Sequence, residues 1–130
     1  MNKIAWVVVS LLVLTGLGYL VINSKSDDKP QSKDFSSVQS DLRAGAKLLD
    51  VRTKEEYDSG HFAGATLFAL QDIESGKLPD VARETKIYVY CRSGNRSSQA
   101  MDLLNKAGFT NVIDLGGLSD VQKIGGVLTT

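Results

Sequence analysis

The segment KIYVYCRSGNRSSQAMDLLNKAGF, which runs from Lys86 to Phe109, decides how the rest of the chain can be interpreted. Residues 87–90 are β-branched or aromatic with no polar alternation, which predicts a central strand buried on both faces. Four small or aliphatic residues then share one stripe at helical spacing: Ala100, Leu103, Leu104 and Ala107. Because Gly108 follows that stripe as a helix stop, the segment predicts a strand, a polar loop and a helix.

Working outward, the same alternation continues on both sides of this segment. The runs KLLDV (47–51), ATLFAL (65–70) and NVIDL (111–115) are predicted strands. Two short helices are predicted from capping-box spacing, one from Ser36 and Gln39 and the other from Thr53 and Glu56. A last short helix is predicted within 116–126. Strands that alternate with helices predict an α/β fold with a small parallel sheet flanked by helices.

The one cysteine, Cys91, lies between the predicted central strand and the predicted helix. A loop that leads into a helix N-terminus directs backbone N–H groups inward and forms a nest for an anion. Those donors, the helix dipole, Arg92 and Arg96 all favour thiolate over thiol. Gly94 is expected to supply the positive φ that the loop needs. A buried structural cysteine is the alternative, but a core thiol does not need cationic surroundings.

Composition narrows the function classes. The chain has 130 residues, with 15 Lys+Arg against 15 Asp+Glu, so no basic excess points to nucleic acid. One cysteine forms neither an internal disulfide nor a Cys–Cys metal pair, and His61 is the single histidine. We therefore expect no metal site. We also expect no cofactor and a monomer, although the sequence does not decide between a monomer and a dimer.

An apolar run precedes the folded part. Residues 4–22 carry no charge, and at about 1.5 Å rise per residue they nearly cross a hydrocarbon core of about 30 Å. We expect an N-terminal hydrophobic helix within 1–23, retained as a membrane anchor or cleaved as a signal peptide, then a polar tether over 24–34 and a domain over 35–130. The lysine distribution favours a cytoplasmic domain, the opposite of the localisation expected below.

Three motifs resemble the rhodanese family of sulfurtransferases. The loop 91–96 is similar to its active-site loop, LLDVRTKEEYDSGHFAGA (48–65) to its Asp-Val-Arg, Glu-Tyr, Gly-His-Ile and Gly-Ala signature, and AGFTNVIDLGGLSD (107–120) to its closing Gly-Gly pattern. Phe62 replaces the isoleucine, and Val121 stands where many members carry tryptophan. The resemblance covers about 35–121 and implies a rhodanese-like fold.

The resemblance implies sulfur transfer in two steps. Cys91 takes the outer sulfur of a small anionic donor such as thiosulfate and becomes a persulfide, and a thiophilic acceptor, cyanide or a thiol, removes that sulfur. Arg92 is expected to hold the donor, and Arg96 either does the same or braces the loop. The backbone N–H groups expected to cradle the persulfide belong to Ser93, Gly94, Asn95 and Arg96.

The remaining motif residues are expected to support the structure. Asp50 and Arg52 are predicted to form an ion pair that braces neighbouring loops, with contact to the site as the alternative. His61 is predicted to be structural, because a thiolate that the nest has already formed needs no base. Tyr57 is predicted to lie in the core.

Two other functions stay open at this point. The domain is alternatively a carrier or docking module without catalysis of its own. It is otherwise a Cys-based phosphatase or arsenate reductase, although that class uses Cys-x5-Arg and this chain has Cys-x4-Arg.

The tryptophan-less ending resembles single-domain periplasmic rhodaneses of phage-shock responses. We therefore expect a bacterial protein that is anchored in the inner membrane or secreted, with its domain outside the cytoplasm.

Overall fold

The computed structural model describes residues 34–130. Its helices are α1 (Phe35–Arg43), α2 (Lys54–Ser59), α3 (Leu70–Glu74), α4 (Asn95–Lys106) and α5 (Leu118–Lys123). Its strands are β1 (Lys47–Asp50), β2 (His61–Phe62), β3 (Ala65–Leu67), β4 (Ile87–Tyr90), β5 (Val112–Gly116) and β6 (Leu128–Thr129). The expected hydrophobic helix, and the tether up to residue 33, lie outside the described residues. None of the helices within 34–130 is long and apolar enough to cross a membrane.

Four strands form one parallel sheet in the order β3-β1-β4-β5, which confirms the predicted architecture. All four residues of β4 are buried, as expected for a strand with a neighbour on each edge and side chains on each face. The carboxyl ends of parallel strands share one edge of the sheet. That edge is where β4 delivers Cys91.

Each face of the sheet packs against its own apolar cluster. Along β4, Ile87 and Val89 point into the cluster shared with α3 and α4, and Cys91 continues that side. Tyr88 and Tyr90 point into the opposite cluster with residues of α1 and α5. This alternation follows from the two-residue period of a strand. It places the thiol on the side of the sheet that α4 covers.

The tryptophan position of the resembled family is filled by a smaller core residue. Val121 in α5 is fully buried and belongs to the same cluster as Phe62. Gly126 lies so close that a Cβ there would come within 2.7 Å of Val121 Cγ1 and 3.0 Å of the Phe62 ring. The departure from the family pattern is therefore accommodated by close backbone packing within the core.

Two local predictions fail at element ends. The first helix is capped by Asp34, whose Oδ1 accepts from the backbone N of Ser36, so the predicted capping box from Ser36 is wrong. Asp34 acts as the cap because its carboxylate also accepts a hydrogen bond from the Ser36 hydroxyl, with 2.8 Å between the two oxygens. The predicted strand 65–70 ends at Leu67, since Leu70 and Ile73 bury at helical spacing as part of α3.

The other predicted capping box is present. Thr53 Oγ1 accepts from the backbone N of Glu56 at 3.3 Å, and Glu56 Oε2 accepts from the backbone N of Thr53 at 3.0 Å. This reciprocal pair starts α2 directly after β1. It also fixes the carboxylate of Glu56 at the edge of the sheet where β1 and β4 end.

The antiparallel pair of β2 and β6 was not predicted. His61 pairs with Thr129 and Phe62 with Leu128. Each strand is only two residues long, which is too short to show the alternation on which strand prediction depends.

Candidate active site

Cys91 lies at the carboxyl end of β4, where the chain turns into α4. Its backbone N donates to the carbonyl O of Gly116 at 3.0 Å, and its side chain is fully buried. Gly94 caps α4 with a φ of 97°, the left-handed conformation that the sequence predicted for this glycine. In the same loop the Gly94 N–H donates to the sulfur, with 2.9 Å between the nitrogen and Cys91 Sγ.

The surroundings of the sulfur favour its ionised form. Burial raises the pKa of the Cys91 thiol, but hydrogen bonds from the Ser97 hydroxyl and from the amides of Ser97, Gly94 and Ser93 outweigh burial. The pKa of Cys91 therefore lies below its ordinary value. Of the four amides predicted for the nest, those of Ser93 and Gly94 are among these donors and those of Asn95 and Arg96 are not. Ser97 adds an amide and a side chain that the prediction did not include.

That added side chain is Ser97, which sequence reasoning missed. It is fully buried, and its Oγ lies 3.6 Å from Cys91 Sγ and 3.0 Å from the carbonyl O of Gly94. In the protonated thiol the S–H donates to Ser97 Oγ, and the hydroxyl donates to Gly94. After ionisation the same hydroxyl can turn and donate to the sulfur. The available signal was spacing, because Ser97 shares the buried helix face of Ala100 and Leu104.

Arg92 is exposed at the outside of the loop. Within residues 34–130, no carboxylate lies within ion-pair distance of its guanidinium. Its backbone carbonyl O accepts from the N of Leu118 at 3.1 Å, which ties the loop to the start of α5. The backbone is thus anchored, while the charged side chain is exposed to solvent.

Arg96 is in a different situation, because Glu56 holds its guanidinium. Arg96 Nη1 donates to Glu56 Oε2 at 2.8 Å and Nη2 to Oε1 at 3.1 Å. The hydrogen bond from Arg96 lowers the pKa of Glu56 to about 2, against the opposing effect of burial. Of the two roles left open for Arg96, this geometry favours bracing of the loop against α2.

The glycine pair Gly116 and Gly117 packs against the cysteine loop. Ser93 and Gly117 form an isolated antiparallel bridge. A Cβ on Gly117 would come within 2.7 Å of the carbonyl O of Arg92 and 3.0 Å of Ser93 Cα. Only a residue without a side chain allows this approach. The Gly-Gly motif and the cysteine loop are therefore parts of one arrangement.

The predicted ion pair of Asp50 and Arg52 is present and buried. Arg52 Nη2 lies 2.6 Å from Asp50 Oδ2 and donates to the carbonyl O of Gly60, also at 2.6 Å. The Tyr90 hydroxyl donates to the same Asp50 oxygen at 2.8 Å. The pair thus joins the end of β1 to β4 and to the segment after α2, as the bracing interpretation requires.

His61 contacts α2 rather than the cysteine loop. Its ring stacks on that of Tyr57 with 3.8 Å between centroids and 4° between planes. His61 Nδ1 lies 2.9 Å from the carbonyl O of Tyr57, and because a carbonyl only accepts, Nδ1 carries the proton. Tyr57 is half-buried and donates its hydroxyl to Ala65 O at 2.9 Å. This geometry supports a structural role for His61.

The described part of the chain offers no metal-binding arrangement. Among residues 34–130, no three His, Cys, Asp or Glu side chains are grouped so that they would hold a metal ion. Asn95, the remaining residue predicted for the site, is exposed at the first position of α4. The chemistry available at this edge of the sheet is that of a buried nucleophilic sulfur beside an exposed cation.

Comparisons with known proteins agree with this geometry. A family model described as a Rhodanese-like domain matches residues 34–123. Thiosulfate sulfurtransferase PspE of Escherichia coli (strain K12) is 34% identical over 81 residues, which are 60% of this chain and 76% of that protein. The adenylyltransferase and sulfurtransferase Uba4 of Ogataea parapolymorpha is 35% identical over 111 residues, 83% of this chain. The match spans only 28% of Uba4.

A solved structure shows the same fold. The crystal structure of the Rhodanese_3 like domain of the Alr3790 protein from Anabaena sp. superposes with a TM-score of 0.59 at 34% sequence identity. The superposition covers 66% of this chain and 100% of that domain.

Proposed function

The chain belongs to the family of rhodanese-like domains, and on that premise we propose that it is a sulfurtransferase that works through a persulfide on Cys91. The single observation that carries the proposal is the sulfur itself. Cys91 is buried, yet the Gly94 N–H lies 2.9 Å from its Sγ and its pKa is lowered. A thiolate prepared in this way is a soft nucleophile without the help of a base.

The first step takes sulfur from an anionic donor, for which we propose thiosulfate. The Cys91 thiolate attacks the outer sulfur of the donor, a bond forms between Sγ and that sulfur, and the donor's own S–S bond breaks. Sulfite leaves with the electron pair. Arg92 attracts the dianion, and the amides of Ser93, Gly94 and Ser97 hold the persulfide that remains.

The second step returns the enzyme to its starting state. Cyanide or a thiolate attacks the outer sulfur of the persulfide, and Cys91 departs as thiolate. The nest stabilises that leaving group with the same hydrogen bonds that prepared the nucleophile. One site thus serves both halves of the cycle.

Replacing the sulfur of Cys91 tests the proposal. Full-length protein and the Cys91→Ser variant are incubated with thiosulfate and measured by intact mass. We expect one added sulfur in the wild type only, and multiple turnovers when cyanide is supplied. Equal sulfur uptake by the Ser variant would remove Cys91 from the reaction. A persulfide that forms on Cys91 but is not removed by cyanide or by thiols would instead indicate a carrier.

Hydrolysis of an aryl phosphate distinguishes the phosphatase alternative. A phosphatase loop needs its arginine free to bind a tetrahedral oxyanion, whereas Arg96 is already paired with Glu56 at 2.8 and 3.1 Å. We therefore expect no hydrolysis above background under conditions in which persulfide forms.

We further propose that the domain works outside the cytoplasm of a bacterium. Residues 1–23 either stay as an anchor in the inner membrane or are cleaved as a signal peptide, which releases the domain. The uncharged run over 4–22 and the polar segment over 24–34 support this proposal. Alkaline phosphatase fused after Thr130 should be active, and a fluorophore that matures only in the cytoplasm should stay dark. The opposite pattern would make this a sulfurtransferase that faces the cytoplasm.

A further inference from the structure

A cleft of about 540 Å³ opens at the same edge of the sheet as Cys91. Its lining comes from residues 51–55 at the start of α2, from residues 67–74 around α3, and from Arg96 in the first turn of α4. A volume of this size lies within the range of small-molecule sites, which is roughly 300–1,000 Å³. The cleft therefore suits a small ligand better than a flat macromolecular contact.

The cleft adjoins the loop that carries the reactive sulfur, because Arg96 of that loop is one of its lining residues. Asp50 pairs with Tyr90 in the sheet, and the N of the next residue, Val51, donates to the carbonyl O of Tyr90 at 3.1 Å. The residue after Tyr90 is Cys91, so the chain at Val51 runs beside the nucleophile. Val51, Leu70 and Cys91 also belong to one packed cluster. A ligand resting on Val51 and Leu70 would thus lie next to the active-site loop.

The rim of the cleft carries two carboxylates outside the ion pairs. Glu55 and Glu74 line it and are exposed, and within residues 34–130 neither carboxylate forms an ion pair. The pKa of Lys54 is raised by its hydrogen bond to Asp58 and also by the charge of the neighbouring Glu55. The other charged side chains of the lining are paired elsewhere: Arg52 with Asp50, Arg96 with Glu56, Lys54 with Asp58 and Asp72 with Lys77. The sign of this rim is opposite to that of Arg92 on the outside of the loop.

We propose that this cleft binds the sulfur acceptor, and that the acceptor is a small thiol that carries a positive charge. The inference rests on the proposed sulfurtransferase function and specifies its second substrate. An apolar floor accommodates the short carbon chain, and Glu55 and Glu74 attract an ammonium group. The same carboxylates repel an anionic donor, which leaves the donor to Arg92. The positive charge of Arg92 thus attracts the donor, and the negative charges of Glu55 and Glu74 attract the acceptor.

The transfer balances without any further reagent. The acceptor thiol loses its proton to solvent, and its thiolate attacks the outer sulfur of the Cys91 persulfide. A new S–S bond forms as the bond between Sγ and the outer sulfur breaks. The product is the acceptor's persulfide, and Cys91 is again a thiolate held by the Gly94 amide.

Three small thiols of different charge test the assignment. Full-length protein is loaded with thiosulfate, freed of excess donor, and mixed with cysteamine, 2-mercaptoethanol or 3-mercaptopropionate while loss of the persulfide is followed. Each thiol is compared between wild type and the double variant Glu55→Gln/Glu74→Gln, so the intrinsic reactivity of the thiol cancels. Glu84→Gln is the matched control, because Glu84 is exposed and lines a different pocket with Lys86 and Asn111.

We expect the double variant to slow transfer to cysteamine by roughly three- to tenfold, the range that two exposed ion pairs give. Transfer to 2-mercaptoethanol should change by less than about twofold, and transfer to 3-mercaptopropionate should become faster. High salt should lower the rate of transfer from the wild type to cysteamine until it equals that of the double variant. An equal change for all three thiols, or the same pattern in Glu84→Gln, would overturn the assignment.

Persulfide loading reports on the proposed function separately. If the wild type does not load, the donor chemistry is wrong, and titration of unloaded protein with cysteamine still decides the cleft. Amide resonance shifts concentrated at residues 51–55 and 67–74, and requiring roughly three- to tenfold more cysteamine in the double variant, would support it. Shifts that are absent, or that follow the same titration curve in the double variant, would overturn it.

Discussion

The guanidinium of Arg96 lies against the carboxylate of Glu56 with two nitrogens facing two oxygens, at 2.8 and 3.1 Å. The two arginines of the loop are therefore not equivalent. One is neutralised and tied to α2, and the other, Arg92, keeps its charge available to solvent. On the proposed function, electrostatic recognition of a donor anion is therefore expected to depend mainly on Arg92.

Removing the charge of Arg92 should weaken the reaction with thiosulfate. Loss of one charge-assisted contact costs about 1.5–3 kcal/mol, so kcat/KM for Arg92→Ala should fall roughly 10- to 150-fold. Steady-state kinetics against Arg43→Ala, an exposed arginine in the last turn of α1, measures this. Unchanged kcat/KM in Arg92→Ala would show that the donor does not use this side chain.

The pair of Glu56 and Arg96 should make stability depend on pH. The folded pKa of Glu56 is about 2, below its ordinary value of 4.5, so the pair stabilises the fold above about pH 4.5 and loses that effect as pH falls toward 2. We expect Glu56→Gln to lose about 1–2 kcal/mol at pH 7, after allowance for solvent screening of a partly exposed pair. Urea unfolding at several pH values tests it, with Glu55→Gln as the neighbouring control. A deficit of the same size at pH 2.5 would contradict the assignment.

Ser97 should tune the reactivity of Cys91. Removing its hydroxyl takes away one of the hydrogen bonds that lower the thiol pKa, so the alkylation rate of Ser97→Ala should rise at higher pH than that of the wild type. Iodoacetamide labelling across pH 5–10 measures the shift. Ser98→Ala, on the exposed side of α4, should leave the curve in place. Superimposed curves for both variants and the wild type would reduce Ser97 to a packing residue.

Breaking the buried pair at β1 should be costly. Asp50→Asn leaves Arg52 charged and 4% exposed without its counter-ion, for which about 3–5 kcal/mol of lost stability is typical. Asp58→Asn removes an exposed partner of Lys54 and should cost no more than about 1 kcal/mol. Chemical denaturation compares the two directly. Similar losses in both variants would mean that the Asp50 pair does not brace the loops.

His61 should matter for stability and not for chemistry. His61→Ala loses the ring stack on Tyr57 and the hydrogen bond to its carbonyl, together about 1–2 kcal/mol. His61→Phe retains the stack and should recover part of that loss. Activity per folded molecule should stay at the wild-type level in both. A large fall in kcat for well-folded His61→Phe would instead make the imidazole part of the reaction.

The parts of this molecule that could be predicted from the sequence are those determined by residues close to one another in the chain. The buried run of β4, the positive φ of Gly94 and the stripe of α4 all follow from local period and turn chemistry, and together they located Cys91. The start of α1 was predicted wrongly, because Asp34 and Ser36 are both good caps and only the structure shows which one acts.

The parts that could not be predicted depend on contacts between distant residues. Arg96 and Glu56 are 40 positions apart, and either role for the arginine was compatible with the sequence. The β2–β6 pair joins residues 68 positions apart through two-residue strands that carry no periodic signal. Ser97 is a nearer case: its spacing from Ala100 and Leu104 indicates a buried position, but that spacing does not show that its hydroxyl lies beside the sulfur.

The support of the cysteine loop by the glycine pair has a consequence for synthesis of the chain. Cys91 N is held by the carbonyl of Gly116, and the carbonyl of Arg92 by the N of Leu118. When residue 94 leaves the exit tunnel of the ribosome, those partners have been translated but are still inside the tunnel. The newly made thiol therefore keeps ordinary reactivity until residues 116–118 emerge and dock.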